Sequence, residues 1–309
     1  MPRLLYALSI FVVLGVSAQA IPRESVRTEL AQLEKQKGLT LTSYYDGLQV
    51  VSFKNHRKYH GKKLVPMEGG ASAISPDGTE IALELVRWEK ERRESLAIVR
   101  WDGNDPREYP GIVALDACWS HDQSKLAMTV FIKPNANLGI LDLGSKQMHT
   151  FEPRGQIDQR SHFTSQCWSQ DDRCVVYETE GNVQVYEIGD QNWRILAKGT
   201  QPTWSPDGNW IAYRDGDSYY AIRPAGEDKK KLFHKTRAVS GLYWSPDSRF
   251  VAYVHQDFLA LDTEFFHLMV RRLDDNSEDW VANGVDCCIN YEWVVNPELL
   301  KLAQSWATK

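Results

Sequence analysis

Trp204-Ser205-Pro206-Asp207-Gly208 is followed, two residues on, by Ile211-Ala212-Tyr213. The same order recurs in more worn form. Ile74-Ser75-Pro76-Asp77-Gly78 precedes Ile81-Ala82-Leu83, and Trp119-Ser120-His121-Asp122-Gln123 precedes Leu126-Ala127-Met128. Trp168-Ser169-Gln170-Asp171-Asp172 precedes Val175-Val176-Tyr177, and Trp244-Ser245-Pro246-Asp247-Ser248 precedes Val251-Ala252-Tyr253. Proline pre-sets the first turn position, aspartate bonds nearby backbone, and glycine takes a positive φ without strain. The residue before proline is pushed extended, so a strand ends at the serine. Tryptophan supplies the flat area that stacked sheets bury. Each copy is therefore a tight turn between two short strands. We read Ser75, Asp77, Ser205, Asp207, Ser245 and Asp247 as structural turn residues, because equivalent aspartates in several copies serve hairpins rather than several active sites.

The serines at 75, 120, 169, 205 and 245 are separated by 45, 49, 36 and 40 residues, the period of four-stranded propeller blades. After Trp210–Tyr213 come Asp215-Gly216, a strand-like Ser218–Ile222, a polar loop and Lys231–His234. Cys174–Thr179, Glu180-Gly181, Asn182–Glu187 and Trp193–Ala197 repeat that order. Leu39–Tyr45, Asp46-Gly47, Leu48–Phe53 and Lys62–Met67 repeat it without a first strand. Cys287–Val295 supplies the missing strand, with Trp293 at the tryptophan position and Val294-Val295 in place of Ser-Pro. The expected fold is an all-β, six-bladed β-propeller of four-stranded antiparallel blades, with the two ends of the chain joined in one blade so that no sheet edge stays open.

Before this array, Arg3, the apolar run Leu4–Val16 and Ala18-Gln19-Ala20 form a secretory signal pattern over 1–20. The apolar run is short for a membrane span, so no stable span is expected after cleavage. Residues 21–38 are expected to form a short N-terminal amphipathic helix, with Val26, Leu30 and Leu33 on one stripe and Gly38 as its stop. We read it as a strut on the propeller, which spans 39–296. Residues 297–309 form a short C-terminal helix or a tail.

Net charge −5 argues against a nucleic-acid partner. The five cysteines show no paired C-x-x-C, and the eight histidines show neither H-x-H nor H-E-x-x-H, so no metal site is expected. Cys167 and Cys174 flank one turn and are a candidate disulfide; Cys287-Cys288 is a second, vicinal candidate. No phosphate loop, dinucleotide fingerprint or catalytic triad is present, so no cofactor and no catalytic residue is assigned.

Repeated Trp-Ser-Pro-Asp-Gly turns followed by Ile-Ala-Tyr, after a signal pattern, resemble the WD40-like propeller repeat of TolB-like proteins. That resemblance covers roughly residues 39–295 and implies the propeller fold and a periplasmic or secreted location. It also implies a protein partner associated with the cell envelope. The chain differs in having only one helix's length before the propeller, where TolB has a separate α/β domain. The same repeat fronts peptidases of the dipeptidyl-peptidase type, but no G-x-S-x-G elbow occurs here.

Function in a propeller falls to its loops, since the strands are committed to packing. Three stretches after the second strand of a blade stand out. They carry Trp88, Arg92 and Arg93; Lys133 and Asn135; and His255, Asp257 and Phe258. Aromatic and arginine side chains suit a protein interface. The sequence therefore points to an interaction module, with a channel-mouth enzyme or small-molecule binder acting on carbohydrate or peptide as the alternative. If the turn reading is right, Asp207→Ala lowers the free energy of unfolding in urea by about 1 kcal/mol and leaves binding unchanged. Lost binding at unchanged stability would contradict it.

Overall fold

In the computed structural model, residues 25–44, 48–54, 57–61, 72–88, 92–112, 114–132, 135–151, 167–238, 240–258, 264–283 and 291–306 are described. The repeated turn sets the architecture. In every copy the serine hydroxyl donates to the aspartate two residues on, at 2.6 to 2.7 Å, as in Ser75–Asp77, Ser205–Asp207 and Ser245–Asp247. The same hydroxyl accepts the N–H five residues on at 2.9 Å. The fourth turn residue sits at φ between 55° and 70° in all five: Gly78, Gln123, Asp172, Gly208 and Ser248. Such knots reverse the chain within four residues and start the second strand of each blade.

Around them the described residues form twenty-three strands and two helices. After α1 (Val26–Lys37) come β1 (Leu39–Tyr44), β2 (Leu48–Ser52) and β3 (Arg57–His60). Blade 1 is β4 (Ser72–Ile74), β5 (Glu80–Trp88), β6 (Arg92–Arg100) and β7 (Arg107–Pro110). Blade 2 is β8 (Ala114–Trp119), β9 (Lys125–Ile132), β10 (Asn135–Asp142) and β11 (Met148–Phe151). Blade 3 has β12 (Cys174–Thr179), β13 (Asn182–Glu187) and β14 (Asn192–Lys198), with Trp168 bridging Val175 at the inner position. Blade 4 is β15 (Thr200–Trp204), β16 (Ile211–Asp215), β17 (Ser218–Ile222) and β18 (Lys230–His234). Blade 5 is β19 (Tyr243–Trp244), β20 (Phe250–Phe258), β21 (Glu264–Arg272) and β22 (Glu278–Asn283). β23 (Glu292–Val295) then pairs with β1, Leu41 opposite Trp293, so the sixth blade runs β23-β1-β2-β3. α2 (Pro297–Trp306) follows. The propeller has six blades, closed at the seam of its two ends.

One strand assignment changes. The outer strand of the sixth blade is Arg57–His60 rather than Lys62–Met67, because a short turn after Phe53 suffices and Tyr59 gives the strand its buried side chain. Residues 1–24, Cys287 and Cys288 lie outside the described residues, and so do 62–71.

Blades stack through their inner strands. The Trp119 indole donates to Ala73 O at 3.1 Å, Trp168 to Cys118 O at 2.9 Å and Trp293 to Tyr243 O at 2.9 Å. Each bond joins one blade to the inner strand of the blade before it. Trp293 makes this bond too, so it occupies the tryptophan position despite lacking Ser-Pro. The apolar cores lie between blades, such as Val251 and Tyr253 with Tyr219 and Trp244.

α1 is fixed to the seam by both its faces. Val26 and Leu30 are buried against blades 5 and 6, with Leu33 beside them. Glu34 is 3% exposed, and its carboxylate accepts from Ser52 Oγ, Phe53 N and Lys54 N. Glu29 pairs with Arg249 and Arg272 at 2.6 Å each. Gly38 ends the helix at φ 70°, and a Cβ there would meet Pro297 at 2.7 Å. Among the described residues no helix is long and apolar enough to cross a membrane.

A disulfide joins Cys118 to Cys167, Cα atoms 6.1 Å apart. The pairing of Cys167 with Cys174 is corrected accordingly: Cys174 is free. The two bonded cysteines each precede the tryptophan of their turn, one repeat apart. They face each other because the inner strands of adjacent blades are neighbours. Closing that 49-residue loop stabilises by about 4 kcal/mol on the chain-entropy scale. Urea unfolding with and without a reductant should differ by a value of that order, and Cys167→Ser should abolish the difference. Equal curves would show that no bridge forms.

A raised rim and a histidine row on one face

The direction of the strands sorts the loops onto two faces. All Ser-Asp turns lie on one; the hairpins between second and third strands lie on the other. These hairpins are unequal. β5 and β20 are nine residues long and β9 eight, while β12 is six and β16 five. All start at, or one residue before, the equivalent apolar residues Ile81, Leu126, Val175, Ile211 and Val251. The two or three extra residues therefore extend outward, by about 7 to 10 Å at roughly 3.3 Å each. Blades 1, 2 and 5 stand above blades 3, 4 and 6.

Of the residues singled out from sequence, Trp88, Arg92, Arg93, Asn135 and Phe258 lie at or next to the ends of these strands, and His255 and Asp257 lie further in on β20. Trp88 pairs with Arg92, and Arg93 with Arg87, across the tip of blade 1. Asn135 pairs with Ile132 at the tip of blade 2, and Lys133 lies outside the described residues. In blade 5, Phe258 pairs with Glu264, Asp257 with Phe265 and His255 with His267. The strand directions put these positions at one end of the ring, on separate blades.

Blade 5 has a further feature. His255 and Asp257, two residues apart, share one face of β20, and His267 lies opposite His255. Asp257 touches both imidazoles, Oδ1 at 3.0 Å from His255 Nε2 and Oδ2 at 3.3 Å from His267 Nε2. His267 Nδ1 meets Asn283 Oδ1 at 2.7 Å. Gln256 N donates to Arg237 O and Val254 N to Ser240 Oγ, so the linker from blade 4 braces this hairpin. Below the row, Glu278 accepts from Lys235, Tyr253 and Arg271. Burial disfavours its ionised form, but those three bonds prevail and hold the carboxyl at about 2. His267 and Asn283 escaped the sequence reading. Their signal is hairpin symmetry: residues equidistant from a tip face each other.

The inner strands carry one other carboxylate. Glu292 occupies on β23 the position that Cys118 and Cys167 hold in their blades. Its Oε1 accepts from Ile74 N at 2.9 Å, across the seam to blade 1. The residue keeps partial exposure, but its carboxyl group is enclosed, and that burial lifts it from an ordinary 4.5 to about 8; the Ile74 bond offsets only part. No group of three or more histidine, cysteine or acidic side chains stands arranged around an ion position among the described residues.

Among solved structures, the chain resembles putative TolB from Agrobacterium tumefaciens. The TM-score is 0.59 at 14% identity, over 79% of this chain and 88% of that one. TolB from Acinetobacter baumannii gives 0.59 at 16%, over 83% of this chain and 66% of that one. This is a TolB-like propeller fold. An oligogalacturonate lyase in complex with manganese gives 0.54 at 14%, over 80% of this chain and 79% of that one. No protein-family model and no curated protein sequence matches the chain.

Glu292 yields a signed pH effect. A carboxyl raised in the folded state stabilises fully below its ordinary 4.5, and that contribution falls as pH rises to about 8. Glu292→Gln should therefore become more stable relative to the parent between pH 5 and pH 8, as read by urea unfolding at both. A difference independent of pH would show that the carboxyl is not enclosed.

Proposed function

We propose that the protein is an exported interaction module, working in the periplasm or outside the cell without catalysis, whose raised rim docks another protein of the cell envelope. The observation that carries this is the height of the hairpins of blades 1, 2 and 5. A blade needs only five or six residues per strand to pack, as β12 and β16 demonstrate. Extra strand length on one face of three blades adds nothing to the stacked core and makes a surface instead. To that surface we assign Trp88, Arg92, Arg93, Asn135, His255, Asp257 and Phe258, together with Lys133 from the stretch between β9 and β10. The likeness to TolB propellers agrees with a binding role, and the signal pattern over 1–20 agrees with export. Net charge −5 turns the surface away from nucleic acid.

A channel-mouth enzyme acting on carbohydrate or peptide is the second reading, and the likeness to the lyase favours it. At 14% identity that likeness is one of fold. The two readings separate in one experiment. The parent chain and a Trp88→Ala/Arg93→Ala variant are used as bait in bacterial envelope extract under mild crosslinking. The same proteins are screened for turnover of oligogalacturonate and peptide substrates. Stoichiometric capture of one protein by the parent, reduced about tenfold or more in the folded variant, is expected; a loss of 1.4 kcal/mol of binding suffices. Turnover without capture would replace the docking function with the enzymatic one.

A further inference from the structure

We propose that the raised blades are the two banks of a groove, which takes an extended polypeptide segment with basic side chains along one edge and acidic side chains along the other. The proposal deepens the docking reading above and rests on it. The argument begins with height. The residue paired with the end of each inner strand marks one level: Ile81 faces Ile74, Ile211 faces Trp204, Val251 faces Trp244 and Leu41 faces Trp293. From that level β5 and β20 run seven residues further, to Trp88 and Phe258, and β9 runs six past Leu126. β12 and β16 run four, and β1 only three, to Tyr44. Blade 6 is therefore the lowest, and it lies between the two highest, which rise about 13 Å above it at roughly 3.3 Å per residue. The blades follow one another in order around the ring, so blade 3, also low, stands opposite blade 6. A trough thus crosses this face from blade 6 over the channel mouth to blade 3. Blade 5 is one bank; blades 1 and 2 are the other.

The banks carry opposite charge. Towards its tip blade 1 has Arg87, Arg92 and Arg93 against a single acidic residue, Glu94, among the described residues. The matching part of blade 5 has Asp257 and Glu264 and no lysine or arginine among the described residues. Successive side chains of an extended chain point to opposite sides. A segment that alternates basic and acidic residues therefore offers one sign to each bank, whereas a helix mixes the two signs around its axis. The floor adds an acceptor. Gln201, the second residue of β15, lies beside Thr200, which pairs with Arg214 near the hairpin of blade 4. Its N–H donates to Glu178 of blade 3 at 3.0 Å, while its Oε1 is enclosed with no partner among the described residues. Its φ of 52° is a strained setting for glutamine. An unused acceptor and a strained backbone at the far end of the trough suit a main-chain N–H from the occupant.

The test uses the full chain and two fluorescein-labelled peptides of equal composition and no net charge, each about 40 Å long when extended. One alternates lysine with glutamate; the other has all its lysines first and all its glutamates after. By fluorescence anisotropy at low salt, the alternating peptide is expected to saturate at one per chain and to bind at least about tenfold tighter than the blocked one, with affinity falling as salt rises. Arg92→Glu/Arg93→Glu and Asp257→Lys/Glu264→Lys should each weaken it at least about tenfold, with the fold intact by circular dichroism. The chain carrying all four substitutions should regain binding, because a peptide rotated by half a turn about its axis meets the exchanged banks; misfolding gives no such recovery. No saturable binding, equal binding of the two peptides, or no recovery in the fourfold variant overturns the groove. If the parent still captures its protein from envelope extract, the groove alone falls; if capture fails as well, the docking function falls with it.

Discussion

The pairing of β23 with β1 is the constraint on which the remaining structure depends. It sets Leu39 opposite Val295 and Leu41 opposite Trp293, joining segments some 254 residues apart. Closing a loop of that size costs about 5 kcal/mol of chain entropy. The gain is that every blade then has two neighbours, and no inner strand or blade face is left bare. The seam is built accordingly. Trp293 packs on Phe53 and donates to Tyr243 O, Val294 enters the core beside Ile74, and Asn296 Nδ2 reaches Gly78 O on the first turn. Gly78, besides its φ of 68°, would bring a Cβ to 2.2 Å from Val294 Cγ1, so the seam itself requires the glycine.

Closure also explains the accessory elements. α1 buries Val26 and Leu30 over the joint of blades 5 and 6, while α2, capped by Asn296, buries Leu299 and Ala303 over that of blades 6 and 1. Each helix covers one side of the joint blade. A split blade has fewer chain connections than the others, and helix packing supplies contacts that covalent continuity supplies elsewhere. The disulfide serves blades 2 and 3 in a similar way. Among the described residues the inner position of blade 3 is held by a bridge from Trp168 to Val175, and Cys167 beside it is tied to blade 2.

The repeat was legible because a turn needs particular residues in a particular order. Serine, aspartate and a residue tolerant of positive φ leave a mark even in copies where proline and glycine have gone, as in Trp168–Asp172. The seam was legible by subtraction, since residues 39–53 repeat a blade that lacks its first strand. What escaped depends on the relation between repeats rather than on any one of them. The Cys118–Cys167 bond joins equivalent positions one repeat apart, yet nearness in sequence favoured Cys167 with Cys174. His255 and His267 are twelve residues apart, and the hairpin register places them face to face. Glu292 carries no linear signal, and only the closed ring shows that it stands where other blades carry alanine, cysteine, threonine or tyrosine. The outer strand of the sixth blade was misplaced because its strand is short and polar, with Tyr59 as a buried anchor.

The two faces of the ring carry different duties, for a physical reason. On the face of the Ser-Asp turns, side chains are consumed by one another and by the next blade: Asp172 accepts from His121 and Asp122, and Asp207 N donates to Ser248. Change there acts on the fold. On the opposite face a hairpin can lengthen without disturbing the core, because each added residue extends β5 against β6, or β20 against β21, and satisfies its own backbone bonds. Length is therefore free to vary on that face alone. The long hairpin of blade 5 carries its polar row at the level where the linker from blade 4 still grips the strand through Gln256 and Arg237. A row placed further out would lack that brace. Its position at the root of the raised hairpin gives the histidines both a fixed backbone and an open side.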